Sequence, residues 1–177
     1  MKYSEHICAR PSPSLASMRA LRGHPLDVCE RLCTAESYDC ERVGDNELHL
    51  ALPGMWCEHE VSLVWKPEDE QLDLYLLFAG RTPCGRSDDI CRLLSLLNER
   101  LMSGHFDFWD KDSALVYRNS LNLAGGARLK IEQAMALLAA AFDGAERGYP
   151  ACQYVVWAGK SPEDALNSAL IDIAAHG

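Results

Sequence analysis

Positive charge is what this chain has least of: 17 Lys and Arg stand against 26 Asp and Glu in 177 residues, a formal net charge of −9. At a pI near 5.1 the average field repels phosphate backbones and anionic lipid, and no run of Lys and Arg forms a local basic patch. Nucleic acid and membrane surfaces are therefore not expected as partners. Long apolar runs are missing too. The longest, Ala134 to Phe142, stops at Asp143, far short of the ~20 residues that span a bilayer. The first residues carry Glu5, Arg10, Arg19 and Arg22 among prolines and serines, which leaves no apolar segment of signal-peptide length. The expectation is a cytoplasmic protein with reduced thiols, since eight cysteines fall below the density of a small disulfide scaffold.

Catalytic signatures are also wanting. Gly159-Lys160-Ser161 ends like a phosphate-binding loop, but Tyr154 stands five residues earlier, where that loop needs glycine. Ser161-Pro162 reads instead as the cap and first residue of a helix. His59-Glu60 begins like a zinc-protease motif, yet Leu63 replaces the second histidine and the segment alternates as a strand. A looser zinc set of Cys40, His49, Cys57 and His59 is opposed by parity. Cys57 and His59 share the side of Val61 and Leu63, whereas His49 lies opposite Leu48 and Leu50. Nucleophile elbows and dinucleotide glycine patterns are absent, and Asp107, Asp110 and Asp112 read as solvated turn carboxylates. No enzymatic activity, metal or cofactor is expected.

What remains is an ordinary globular composition, 48% hydrophobic and 24% charged, on a chain long enough to bury a core unaided. Residues 1–24, with Pro11, Pro13 and Gly23, have no apolar period and read as a flexible tail; residues 25–177 read as a single domain. From Pro25, the residues Leu26, Cys29 and Cys33 fall on one helical face, with Leu32 beside them. The period then drops to two. Four strands follow: Tyr38–Val43, Glu47–Leu52, the segment carrying Val61, Leu63 and Trp65, and Leu72 to Phe78.

Ser87 is placed as the cap of a helix carrying Ile90, Leu93, Leu94, Leu97 and Leu101, and two strands follow, His105–Trp109 and Ala114–Leu121. Ile131, Met135, Leu138 and Phe142 mark an alanine-rich helix whose end Gly144, Gly148 and Pro150 weaken. Tyr154 to Trp157 fits either strand or helix. A last helix starts at Pro162. The predicted fold is α+β, an antiparallel sheet with helices packed on one face, in the order α-ββββ-α-ββ-α-α.

The run from Leu93 through Asn98-Glu99-Arg100 to Gly104-His105-Phe106-Asp107 resembles the YbjN family, described as bacterial sensory transduction regulators. So do the loop Leu123-Ala124-Gly125-Gly126, Gly148-Tyr149-Pro150, and Val156-Trp157-Ala158-Gly159-Lys160-Ser161-Pro162-Glu163. The resemblance spans about residues 25 to 175. It implies a domain similar to type III secretion chaperones, helix for Tyr149 to Trp157, and a tendency to pair, and it carries over no catalytic residues.

Candidate sites follow from exposed chemistry. Trp56, Trp65, Tyr75, Trp109 and Tyr117 lie on or beside strands, and a sheet covered on one side leaves some of them for a partner. Val61 to Trp65 and Leu72 to Phe78 look apolar on both faces, which predicts a homodimer with Trp65 and Tyr75 near the contact. Cys84, between Arg81 and Arg86 and just before a helix, is the candidate reactive thiol. Cys29 and Cys33, on the Leu26 stripe, read as core. The function expected is a non-enzymatic protein-binding regulator or chaperone-like module of bacterial signalling. The alternative is a metal- or thiol-based redox sensor using the cysteine-rich N-terminal half.

Overall fold

The structure is a computed structural model that describes residues 23–78 and 85–176. The elements, in chain order, are α1 (Pro25–Glu36), β1 (Cys40–Arg42), β2 (Glu47–Pro53), β3 (Glu58–Lys66), β4 (Gln71–Leu77), α2 (Ser87–Asn98), β5 (His105–Trp109), β6 (Ala114–Asn122), α3 (Ile131–Val156) and α4 (Pro162–His176). The six strands form one antiparallel sheet in the order β1-β2-β3-β4-β6-β5. The α+β expectation and its element order hold. Of the expected tail, all but Gly23 and His24 lies outside the described residues, as does Cys84.

Residues paired across antiparallel strands share a face. The register Leu50↔Val61, Val61↔Leu76 and Leu76↔Tyr117 therefore runs one apolar row across the sheet, and Leu48↔Leu63 and Leu63↔Leu74 run a second. These side chains join Leu26, Cys29, Leu32 and Cys33 of α1, Ile90, Leu93 and Leu97 of α2, and Leu138, Ala141 and Ala145 of α3 in one core. Each fully buried Leu contributes about 1.5–3 kcal/mol. α4 packs on α2 and α3, so it thickens the helical layer and leaves the second sheet face uncovered among the described residues.

Three features at the helix ends depart from the sequence reading. Ser87 is the first helical residue of α2 and not its cap; Arg86 holds the cap position without a side-chain cap bond. Its guanidinium instead donates to the carbonyls of Val155 (3.0 Å) and Lys160 (3.2 Å), tying the start of α2 to the end of α3.

Gly144 and Gly148 do not weaken α3. They let it sit close on the sheet, where a Cβ at Gly148 would lie 2.7 Å from Phe106 Cζ and one at Gly144 3.0 Å from Tyr117 Cε2. α3 also runs through Pro150 to Val156, which settles Tyr154–Val156 as helix. Proline has no N–H to give the carbonyl four residues back. That carbonyl, of Glu146, accepts the indole Nε1–H of Trp56 at 3.1 Å instead.

Candidate functional site

The uncovered sheet face is built by the residues that alternate with the core rows. On β1, β2 and the first half of β3 these are Glu41, Glu47, His49, Ala51, Glu58 and Glu60. They make a carboxylate-rich strip, and Glu41, His49, Ala51, Glu58 and Glu60 line a hollow of about 520 Å³. His49 Nε2 meets Glu47 Oε1 at 2.7 Å.

Towards β4, β6 and β5 the character changes. Asp73 is almost wholly buried although it is a carboxylate on this face. It accepts from Gln71 Nε2 at 2.6 Å and from the Tyr75 hydroxyl at 3.1 Å, and it pairs with Lys66. Burial alone would raise the Asp73 carboxyl. The bonds from Lys66, Gln71 and Tyr75 outweigh it and hold the carboxyl below its ordinary value. The same pairing raises the Lys66 ammonium.

Tyr75 lies 5.9 Å from Trp109, ring to ring. The Arg118 guanidinium sits 5.6 Å over the Tyr75 ring and bonds Asp107 at 3.0 Å, a geometry in which cation–π attraction and a charge-assisted bond hold one side chain flat. Leu77, partly exposed, borders Glu60 of the acidic strip, and Val116, fully buried, lies beyond it between Leu77 and Asp107. The face is thus acidic at one end and aromatic with a fixed cation at the other.

The five aromatic candidates separate. Tyr75 and Trp109 come together on the open face. Trp65 pairs with Leu72 and therefore points to the helical side, where it packs on the core's edge 6.3 Å from His24; Trp65 and Tyr75 cannot share one contact through a single sheet face. Trp56 clasps α3. Tyr117 is no surface residue at all: it is fully buried, and its hydroxyl donates to Ser103 O at 2.8 Å. Gly104 must be glycine here, with φ +70° and the Tyr117 hydroxyl where a Cβ would collide with it.

The second face is also not apolar throughout, because Val64 and Leu77 sit among Glu60, Ser62, Asp73 and Ser120; of the two grounds for a homodimer, the apolar surface falls with it, while the tendency to pair rests on the family resemblance alone. Asp73 and Arg118 were missed by sequence reasoning, and Asp107, read there as a solvated turn carboxylate, instead lies on β5 and bonds Arg118. The signal was available, since Asp73 and Asp107 are two residues from Tyr75 and Trp109 and share their face.

Of the six described thiols, Cys29, Cys33 and Cys152 are buried in the core, Cys40 and Cys57 are half-buried and Cys91 is exposed. Burial pushes Cys29, Cys33 and Cys152 up to about 12, with Cys40 adding to the shift of Cys33. Cys40 and His59 face the helices while His49 faces away, so the zinc quartet is split as parity required. Among the described residues no three His, Cys, Asp or Glu side chains stand together as metal ligands, and no helix is long and apolar enough to cross a membrane.

The fold that results is a one-sidedly covered antiparallel sheet with a structured polar face. Residues 25–154 match the YbjN family, "Putative bacterial sensory transduction regulator", and the chain belongs to that family. Two solved structures are similar in fold. A chain of the ExsC–ExsE complex is 24% identical with a TM-score of 0.41, over 55% of this chain and 71% of that one. YbjN from E. coli is 13% identical with a TM-score of 0.46, over 85% and 92%. No curated protein matches.

Proposed function

We propose that this protein is a non-enzymatic, protein-binding regulator of the bacterial cytoplasm, a chaperone-like module acting through the uncovered face of its sheet. The observation that carries this reading is the Tyr75–Trp109–Arg118–Asp107 cluster on that face. Aromatic and Arg side chains held by neighbours lose little freedom on contact, which is why they dominate recognition surfaces. The partner is a protein segment with apolar side chains over Tyr75, Trp109 and Leu77 and basic ones along Glu41, Glu47, Glu58 and Glu60, a charge complement that also suits a chain of net charge −9. Redox sensing by Cys29 and Cys33 is the weaker reading, because burial holds both as thiols.

The test places a photo-crosslinking residue at position 75 or 109, with position 147 on the helical side as control, in a bacterial host. Discrete adducts to another protein from 75 and 109 alone support the reading. Equal adducts from 147, or none, overturn it, and a product of twice 19.7 kDa reassigns the face to a second copy of this chain.

A further inference from the structure

A separate cluster lies on the helical side, at the turn between β2 and β3. Cys57 Sγ is 3.6 Å from His59 Nδ1, and His59 Nε2 is 2.7 Å from Glu146 Oε1. The other carboxylate oxygen, Oε2, accepts the Met55 amide at 2.9 Å. His59 is only 1% exposed, walled by the rings of Phe142 and Tyr149 in edge contacts. The carboxylate fixes the tautomer: Nε2 carries the proton and donates to Glu146, which leaves Nδ1 as the acceptor facing the thiol. Gly54 closes the arrangement, since a Cβ there would sit 2.7 Å from His59 Nε2 and collide with Glu146 Oε1. Half-buried Cys57 thus heads a thiol–imidazole–carboxylate chain.

We propose that Cys57, His59 and Glu146 form a base-assisted thiol site, at which Cys57 is covalently modified by small-molecule disulfides. Sγ attacks one sulfur of the disulfide as its proton passes to His59 Nδ1. The new S–S bond forms, the old one breaks, and the leaving thiolate takes a proton to depart as a free thiol; Cys57 is oxidised and the departing sulfur reduced. Burial, and the nearby Glu146 carboxylate with it, pushes the Cys57 thiol up, against the Tyr149 hydroxyl bonded to it, so Cys57 is stored as S–H. A thiol so stored reacts quickly only where a fixed base takes the proton, and the resulting sulfur is the better nucleophile for its high basicity.

The test uses the full, reduced, native chain with 4,4′-dithiodipyridine at pH 7, following each cysteine by peptide mass spectrometry. Exposed Cys91 is the internal standard. Cys57 is expected to react about tenfold faster than Cys91, an advantage that disappears in urea. Cys57 reacting no faster than Cys91 in the folded protein would overturn the proposal, whatever the variants do. His59→Gln, if its circular dichroism is unchanged, should lower the Cys57 rate about tenfold at pH 7 and leave Cys91 alone. An unchanged Cys57 rate in that folded variant would equally refute the role of the imidazole.

Discussion

Along β3, His59, Val61 and Leu63 are sealed beneath helices while Glu58, Glu60 and Ser62, each one residue away, stand on the other side. The same contrast repeats on β4, where Leu72, Leu74 and Leu76 join the core and Asp73 and Tyr75 join the polar network. One face is held by close packing, in which each side chain is costly to remove. The other is held by hydrogen bonds and ring contacts, with only Asp73 and Val116 buried beneath partly solvated neighbours that contribute less to folding. On the reading proposed above, stability and recognition are separated at single-residue spacing.

The contrast breaks first on the covered side. Leu63→Ala or Leu74→Ala should destabilise the protein by about 2–5 kcal/mol, because each side chain is fully buried between helices and neighbouring strands and leaves a cavity behind. Leu77→Ala, on the open face, should cost under about 1 kcal/mol. Urea unfolding of the three variants checks this, and equal losses would mean that the second face is also core.

The Trp56 clasp comes next. Trp56→Phe deletes the donor to the Glu146 carbonyl that Pro150 leaves without a helical partner, at a cost of about 1–3 kcal/mol. Introduced into Pro150→Ala, which restores a backbone N–H, the same change should cost measurably less. A double-mutant cycle showing no coupling would detach the indole from the proline.

The strands and α1 were legible because Leu48-His49-Leu50 and Val61-Ser62-Leu63 alternate and Leu26, Cys29 and Cys33 step at helical spacing. Pro150 was not legible, since a proline stops a helix in local terms and only a tryptophan distant in sequence supplies the missing bond. Parity already separated His49 from His59; the same rule applied to Trp65 and Tyr75 would have divided them, had the register been known. Cys57 and His59 were visible as neighbours in the sequence, but Glu146 reaches them only through the docking of α3.

On the open face, Asp73→Asn should cost about 1–2 kcal/mol at pH 7, by weakening the bonds that Lys66, Gln71 and Tyr75 make to a carboxylate. The folded carboxyl lies below its unfolded value, so its contribution is fully present above that value, about 3.9, and is lost as pH falls through the folded one. The gap between wild type and Asp73→Asn should therefore close in acid. A gap independent of pH would show that Asp73 acts by shape and not by charge.

The smallest stability effect should carry the largest effect on binding. Arg118 and Asp107 are each more than a third exposed, at 39% and 37%, so their ion pair is worth about 0–1 kcal/mol. Arg118→Ala should unfold within about 1 kcal/mol of wild type in urea. It nevertheless removes the cation held over Tyr75 and frees that ring to turn, so the partner adduct from a crosslinker at position 109 should fall at least several-fold. A variant that folds normally and crosslinks as before would show that the aromatic cluster is decoration on the face. A variant that folds normally and loses the adduct would tie recognition to residues that stability does not need, which is the division of labour that the alternation along these strands sets up.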